Sequence, residues 1–302
     1  MPQLSIIIPH QHDDLRLEST ILSVLENRPA DSEVIVVHDG SYSDPYQLSD
    51  ELLYVEIGRS RGVLAQLNAG VMAACAPVVC TLLDGVYVSQ GWADASLDAL
   101  KSDEQISVVA VTANSSEDRK STYGIDGRAL ASLNFLQRGR VDLTRPSRTC
   151  LGPELTCGFY RTKVIRAIGG WNEKLALAVA DIDMAWMLQA LELQCVNSDD
   201  QVTVSPERTR SFDNRSMKQL AELAVAYGVS RGGTSVAMSD LLRVCLSGHV
   251  SQAVAWASGI MSARATESVA VRLEQAQARL LEQTPALRVF PQDESRYRRQ
   301  AA

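Results

Sequence analysis

The sequence predicts a three-layer α/β/α domain with a mostly parallel sheet, followed by a helical C-terminal region. Three observations carry that prediction. Short unbroken runs of Val, Ile and Leu, the pattern of strands buried on both faces, recur through the first two hundred residues. Between them, apolar residues fall at helical spacing. Beyond Pro206 the strand runs stop and only helical periods remain.

The elements follow in chain order. "LSIIIP" is a continuous apolar strand that stops at a proline, which cannot extend a ladder. Leu17, Ile21, Val24 and Leu25 then share a helix face, which "NRPADS" ends. "EVIVVHDG" and "LLYVEI" supply two more strands, and a helix follows over about residues 62–75. "PVVCTLLDG" is the next strand, succeeded by a helix from about Gln90 to Leu100 and by the strand "ISVVAVTA". From Asn114 to Cys150 the period dissolves into polar residues, glycine and arginine, the pattern of an irregular excursion over a site. "LTCGFYRTKVIRAIGGWNEKL", the helical "DIDMAWMLQALEL" and the short strand "QVTVS" complete the α/β part. Helical spacings such as Val269, Leu273, Ala276 and Leu280 then extend to Gln283, where Thr284-Pro285 is a stop signal. The chain therefore divides into residues 1–205 and a helical region over 206–302.

Composition excludes several classes of function. At 302 residues, 46% hydrophobic and 22% charged, the chain is neither disordered nor built to span a membrane. No apolar run approaches the roughly 18 residues of a transmembrane helix, and the N-terminus enters a strand directly, so a cytoplasmic protein is expected. A net charge of -7 argues against nucleic-acid binding, which needs a dense basic face. Only the tail is locally basic, with Arg288, Arg296, Arg298 and Arg299. The six cysteines are scattered in apolar contexts and read as reduced, buried side chains, without the clustering of zinc ligands. The first strand also lacks the glycine-rich turn of a dinucleotide site.

Ligands of open α/β sheets lie at the carboxyl ends of the strands. The residues there are Pro9, His10, Gln11 and His12 after the first strand, Asp39 after the second, and Asp84 in "LLDGVYV". Each also has a plain structural use: Asp39 before Gly40 suits a turn, and polar residues commonly follow strands.

"LSIIIPHQHDD", "EVIVVHDGSYSD", "RGVLAQLNAG", "LLDGVYVSQGW", "AIGGWNEKL" and "VADIDMAWML" stand in an order and spacing that resembles the family 2 glycosyltransferases, which have the GT-A fold. The resemblance covers about the first 205 residues and implies an inverting transferase that uses a nucleotide-diphosphate sugar. Asp39 matches the aspartate that accepts a hydrogen bond from the base, a role suited to the ring N–H of uracil or thymine. Pro9, His10 and Gln11 stand where the family forms the nucleotide wall, although Gln11 replaces its stacking aromatic. Arg61 and Asn68 match the segment beside the diphosphate, with Leu67 in place of the family's arginine.

Asp84 matches the first carboxylate of the family's Asp-x-Asp metal motif, whose remainder is Gly85 and Val86 here. The resemblance thus implies a Mg²⁺ or Mn²⁺ ion held by a degenerate site, chiefly by phosphate oxygens. Near the place where the family often carries a histidine after its last strand, this chain has Ser205 and Glu207. Asp181 matches the catalytic base, with Ala180 replacing its acidic neighbour; Asp181 or Asp183 could equally serve to cap a helix. Trp171 and Trp186 suit either an acceptor platform or the core.

Two functions follow. One is a glycosyltransferase acting on an acceptor glycan, lipid or protein. The other is a catalytically silent relative that keeps the fold as a binding or assembly module, with the C-terminal helices making a homo-oligomer or partner contact.

Overall fold

The computed structural model describes residues 1–11, 13–58, 61–116, 121–122, 124–126, 150–205, 212–228, 250–262 and 264–283. The first half runs β1 (Leu4–Pro9), α1 (Asp14–Asn27), β2 (Ser32–His38), β3 (Leu53–Glu56), α2 (Gly62–Ala73), β4 (Val78–Leu82), β5 (Val86–Tyr87), α3 (Asp94–Ser102) and β6 (Ile106–Ser115). Short strands β7 (Ser121–Thr122), β8 (Ile125–Asp126) and β9 (Cys150–Gly152) lead to β10 (Cys157–Arg161), α4 (Thr162–Ile168), α5 (Leu177–Ala190) and β11 (Gln194–Val204). Among the described residues, the helices α6 (Asn214–Ala226), α7 (Val250–Ile260) and α8 (Arg264–Gln283) follow.

The main sheet has the order β3-β2-β1-β4-β10-β6-β11-β5, with β7 beside β6. Every residue of β1 is buried, so both faces of the sheet are covered there. Its register is parallel on both sides: Ile6 lies opposite Val34 of β2 and Cys80 of β4. Helix α2 approaches this centre closely at Gly70, where an added Cβ would lie 2.3 Å from Ile7 Cγ2. The sheet is mixed as well as parallel, because β10 inserts antiparallel between β4 and β6. Runs of apolar residues report burial and not direction, so this reversal was invisible to pattern reading.

Helix boundaries differ from the sequence reading for local reasons. Helix α3 starts at Asp94 and not near Gln90, because Gly91 has φ +78° and the Trp92 amide turns back to the Ser89 carbonyl. Its first turn is capped from a distance: Asp200 of β11 accepts from the amides of Ala95 at 3.1 Å and Ser96 at 2.7 Å. Helix α5 starts at Leu177, so Asp181 and Asp183 lie in its second turn and neither caps it.

The C-terminal helices share the core of the sheet. Ala276 and Leu280 of α8 join the same apolar cluster as β1 and β4, while Met217, Leu220 and Trp256 pack on Ile182 and Trp186 of α5. Asp183 holds the junction: its buried carboxylate lies 2.7 Å from Arg272 Nη1 of α8 and accepts from the Tyr227 hydroxyl at 2.9 Å. Burial and the neighbouring Asp183 push the Tyr227 hydroxyl up, keeping it a donor. Residues 288–299, with the tail arginines, lie outside the described residues.

Two stability predictions follow from these contacts. Arg272→Ala leaves Asp183 buried with one donor and should lower stability in urea unfolding by roughly 3 kcal/mol. The Asp213 carboxyl, which caps α6, is held below the usual carboxylate range by Ser216, whose amide and hydroxyl both donate to it. A depressed pKa contributes stability above the unfolded-state value and loses it as pH falls through the folded-state value. Asp213→Ala should therefore cost about 1 kcal/mol near neutral pH and progressively less in unfolding measured below pH ~4.

Candidate functional site

The sheet order sets the geometry of the site. Strands β2 and β4 flank β1, so Asp39, Gln11 and Asp84 leave three successive strand ends at the carboxyl edge. Strand spacing puts the two aspartate-bearing ends about 10 Å apart with β1 between them. Asp84 is 1% exposed, and Gln11 grips both of its oxygens: Nε2 donates to Oδ1 at 2.7 Å and the Gln11 amide to Oδ2 at 3.2 Å. Gln11, expected as part of a nucleotide wall, thus reaches sideways to the neighbouring strand end.

Helix α1 fastens the segment after Asp84. Gly85 has φ +78°, and its amide donates to Thr20 Oγ1 at 2.8 Å. Further along α1, Ser23 Oγ accepts from the Val88 amide at 3.3 Å. One turn before Thr20, Arg16 lies over the same glycine: an added Cβ on Gly85 would be 3.5 Å from Arg16 Nε and 3.7 Å from Cζ. Arg16 Nη2 donates to Ser205 Oγ at 3.1 Å, and the Ser205 amide donates to the Gly85 carbonyl at 2.9 Å. Glu207 and His12 lie outside the described residues, as does most of the excursion over 114–150.

Asp39 forms a turn through one oxygen, Oδ1 accepting from the Ser41 amide at 3.1 Å and the Ser41 hydroxyl at 2.5 Å. Gly40 follows with φ +86°, where a side chain would meet Glu56 Oε1 at 2.7 Å. Beside this turn stands an aromatic cluster. Tyr42 stacks on Tyr54 with centroids 6.1 Å apart, and His38 and His10 meet Tyr42 at 6.3 and 5.5 Å. His10 is buried and its Nε2 lies 2.9 Å from Asp14 Oδ1, so its ring is part of the wall and not an open stacking face. Burial pushes the Tyr42 hydroxyl up to about 12 and the Tyr54 hydroxyl higher still. Pro9, last residue of β1, is buried.

Asn68 is used structurally. Its Nδ2 donates to the Trp171 carbonyl at 2.9 Å and to Glu173 Oε1 at 3.1 Å, and its Oδ1 accepts from the Trp171 amide at 2.8 Å. The amide thereby holds the Gly-Gly-Trp turn against α2, and Arg61 pairs with the same Glu173 at 3.0 Å. Leu67 is fully buried in the core. Trp171 packs edge-on to Tyr160, and Trp186 lies against Tyr227, so both tryptophans serve packing here.

Asp181 is 1% exposed and its Oδ2 accepts from the Leu155 amide at 3.3 Å. The next residue, Thr156, accepts at its carbonyl from the Leu83 amide at 3.0 Å. Asp181 and Asp84 are thus joined through two short backbone segments at the carboxyl end of β4.

A glycosyl transferase family 2 model matches residues 5–168, more than half of the chain. The chain belongs to glycosyl transferase family 2. No curated protein matches it. The family match includes Asp39, Asn68 and Asp84 and ends before Asp181, whose role rests on the local motif alone. Among the described residues, no helix is long and apolar enough to cross a membrane.

Membership of this glycosyltransferase family raises the question of a metal. Among the described residues, the donor set fits one poorly. Asp84 already meets two donors from Gln11, Gly85 offers no side chain, and Val86 is buried in the core. Among the described residues, no three His, Cys, Asp or Glu side chains gather as a metal site would require.

Pattern reading passed over Arg16 and the Tyr42–Tyr54 pair. For Arg16 a signal was present, since it sits one turn before Thr20 on the helix following the first strand. The Gly170–Asn68 contact gives the prediction for this region. Gly170 has φ +70°, and an added Cβ would lie 2.1 Å from Asn68 Oδ1. Gly170→Ala should cost more than about 2 kcal/mol in the wild-type background. In Asn68→Ala it should cost only its backbone strain, about 1 kcal/mol, a coupling that urea unfolding of the double-mutant cycle measures.

Proposed function

We propose that this family 2 protein is an inverting glycosyltransferase whose donor is a uridine or thymidine diphosphate sugar. What supports the reading is the convergence of Asp39, Asp84 and Asp181 on one edge of the sheet, an arrangement that packing alone does not require. Asp39 accepts the ring N–H of the base, beside the Tyr42–Tyr54 wall. Gln11 and Asp84 form the floor below the diphosphate. Asp181 takes the proton of an acceptor hydroxyl as that oxygen bonds to the anomeric carbon, while the bond to the diphosphate breaks and its electron pair leaves with the nucleotide. The acceptor is a hydroxyl of a glycan, lipid or protein, and the proposal sets the reaction in the cytoplasm.

A second reading is a silent nucleotide-binding module. The complete burial of Asp181 favours it, because a base must reach its acceptor.

The readings separate by experiment. In both, uridine diphosphate should bind more tightly than adenosine diphosphate in calorimetry, and Asp39→Asn should erase the difference. Binding without base preference would remove the pocket assignment. For the enzyme, Asp181→Asn should slow transfer or donor hydrolysis by about 10²–10⁴-fold while leaving nucleotide affinity intact. Turnover indifferent to Asp181 would leave the binding module as the account.

A further inference from the structure

The metal of related enzymes, by the resemblance drawn above, is held between the Asp-x-Asp strand end and a residue after the last strand. In this chain the corresponding pieces are Asp84-Gly85-Val86 and, near the second position, Ser205 and Glu207; of these the Ser205 amide donates to the Gly85 carbonyl at 2.9 Å. What lies against both is a guanidinium. Arg16 Nη2 is 3.1 Å from Ser205 Oγ, and Nε and Cζ are 3.5 and 3.7 Å from the Cβ position of Gly85.

We propose that Arg16 takes the place of the divalent ion, and that the protein binds the diphosphate of its donor without metal. The inference rests on the nucleotide reading above and adds the means of charge neutralisation.

Several features aim Arg16 at this task. The Thr20 hydroxyl donates to the Arg16 carbonyl at 3.0 Å and accepts from the Gly85 amide, so the helix turn carrying Arg16 is keyed to the Asp84–Gly85 segment. Asp13 caps α1 through the Arg16 amide at 3.1 Å and lies 3.7 Å from its Nε, steadying the side chain from the opposite end. About a fifth of the side chain stays exposed, 22%. A guanidinium is always charged and presents several N–H donors in one plane, the geometry that matches phosphate oxygens. The same substitutions that empty the metal motif suit it: Gly85 gives it room, and Gln11 already donates to both oxygens of Asp84.

The test is calorimetric titration of uridine diphosphate, and of uridine without phosphates, into the full chain in EDTA and in Mn²⁺. For the wild type, Mn²⁺ should tighten the diphosphate by no more than about twofold relative to EDTA, since an ion with no site on the protein adds no affinity. Arg16→Ala should weaken the diphosphate at least about tenfold in both buffers, leave uridine unchanged, and be only partly rescued by Arg16→Lys, which restores the charge without the planar fork. Should Arg16→Ala fail to fold, Arg16→Met keeps the aliphatic stem and gives the same readings. A wild-type affinity that rises more than about tenfold with Mn²⁺, or an Arg16 variant that binds diphosphate normally, overturns the inference and leaves the nucleotide reading standing. Absence of diphosphate binding by the wild type in both buffers overturns both.

Discussion

The parallel pairing of β1 with β2 on one side and β4 on the other determines what the carboxyl edge can do. With β1 buried on both faces, its residues cannot slip in register without exposing the core, so the position where the chain leaves the sheet is fixed to the residue. Asp39 and Asp84 inherit that precision from the flanking strands. Helix α1, which must return from β1 to β2, then crosses the edge of the β4–β5 segment and pins it through Thr20 and Ser23. The location of Arg16 is a consequence of that same crossing.

The placement of Asp181 depends on β10. By inserting antiparallel beside β4, it brings the amide of Leu155 and the carbonyl of Thr156 to the end of the strand that carries Asp84, and Asp181 attaches there. Two acidic residues of α5, separated by Ile182, consequently have separate tasks. Asp181 faces the sheet edge, while Asp183, two residues on, points to the opposite side and ties α8 and Tyr227 to the fold. The helical region beyond residue 206 is bound to the helix that carries the candidate base.

Much of this was legible in the sequence. Runs such as "SIII" and "EVIVV" can hardly be anything but buried strands, and the aspartates after them are located by strand ends alone. Direction and partnership were not legible. Nothing in "CGFYR" marks it as antiparallel, because burial on both faces gives the same pattern in either sense. The grip of Gln11 on Asp84 joins residues 73 apart, and Arg16 meets Ser205 across 189, so neither leaves a local signature. Asn68 illustrates the same limit: the resemblance sets it beside the diphosphate, and its amide bonds to Trp171 and Glu173, more than a hundred residues away.

We propose that a nucleoside diphosphate lies across the ends of β2, β1 and β4 with its charge met by Arg16. A crystal structure of the complex with uridine diphosphate, grown in EDTA, examines it directly. The account predicts uracil at Asp39 beside Tyr42, and the diphosphate within hydrogen-bond distance of the Arg16 guanidinium near Asp84. A nucleotide bound elsewhere, or a diphosphate at Asp84 that is ordered only when Mn²⁺ replaces EDTA, would contradict it.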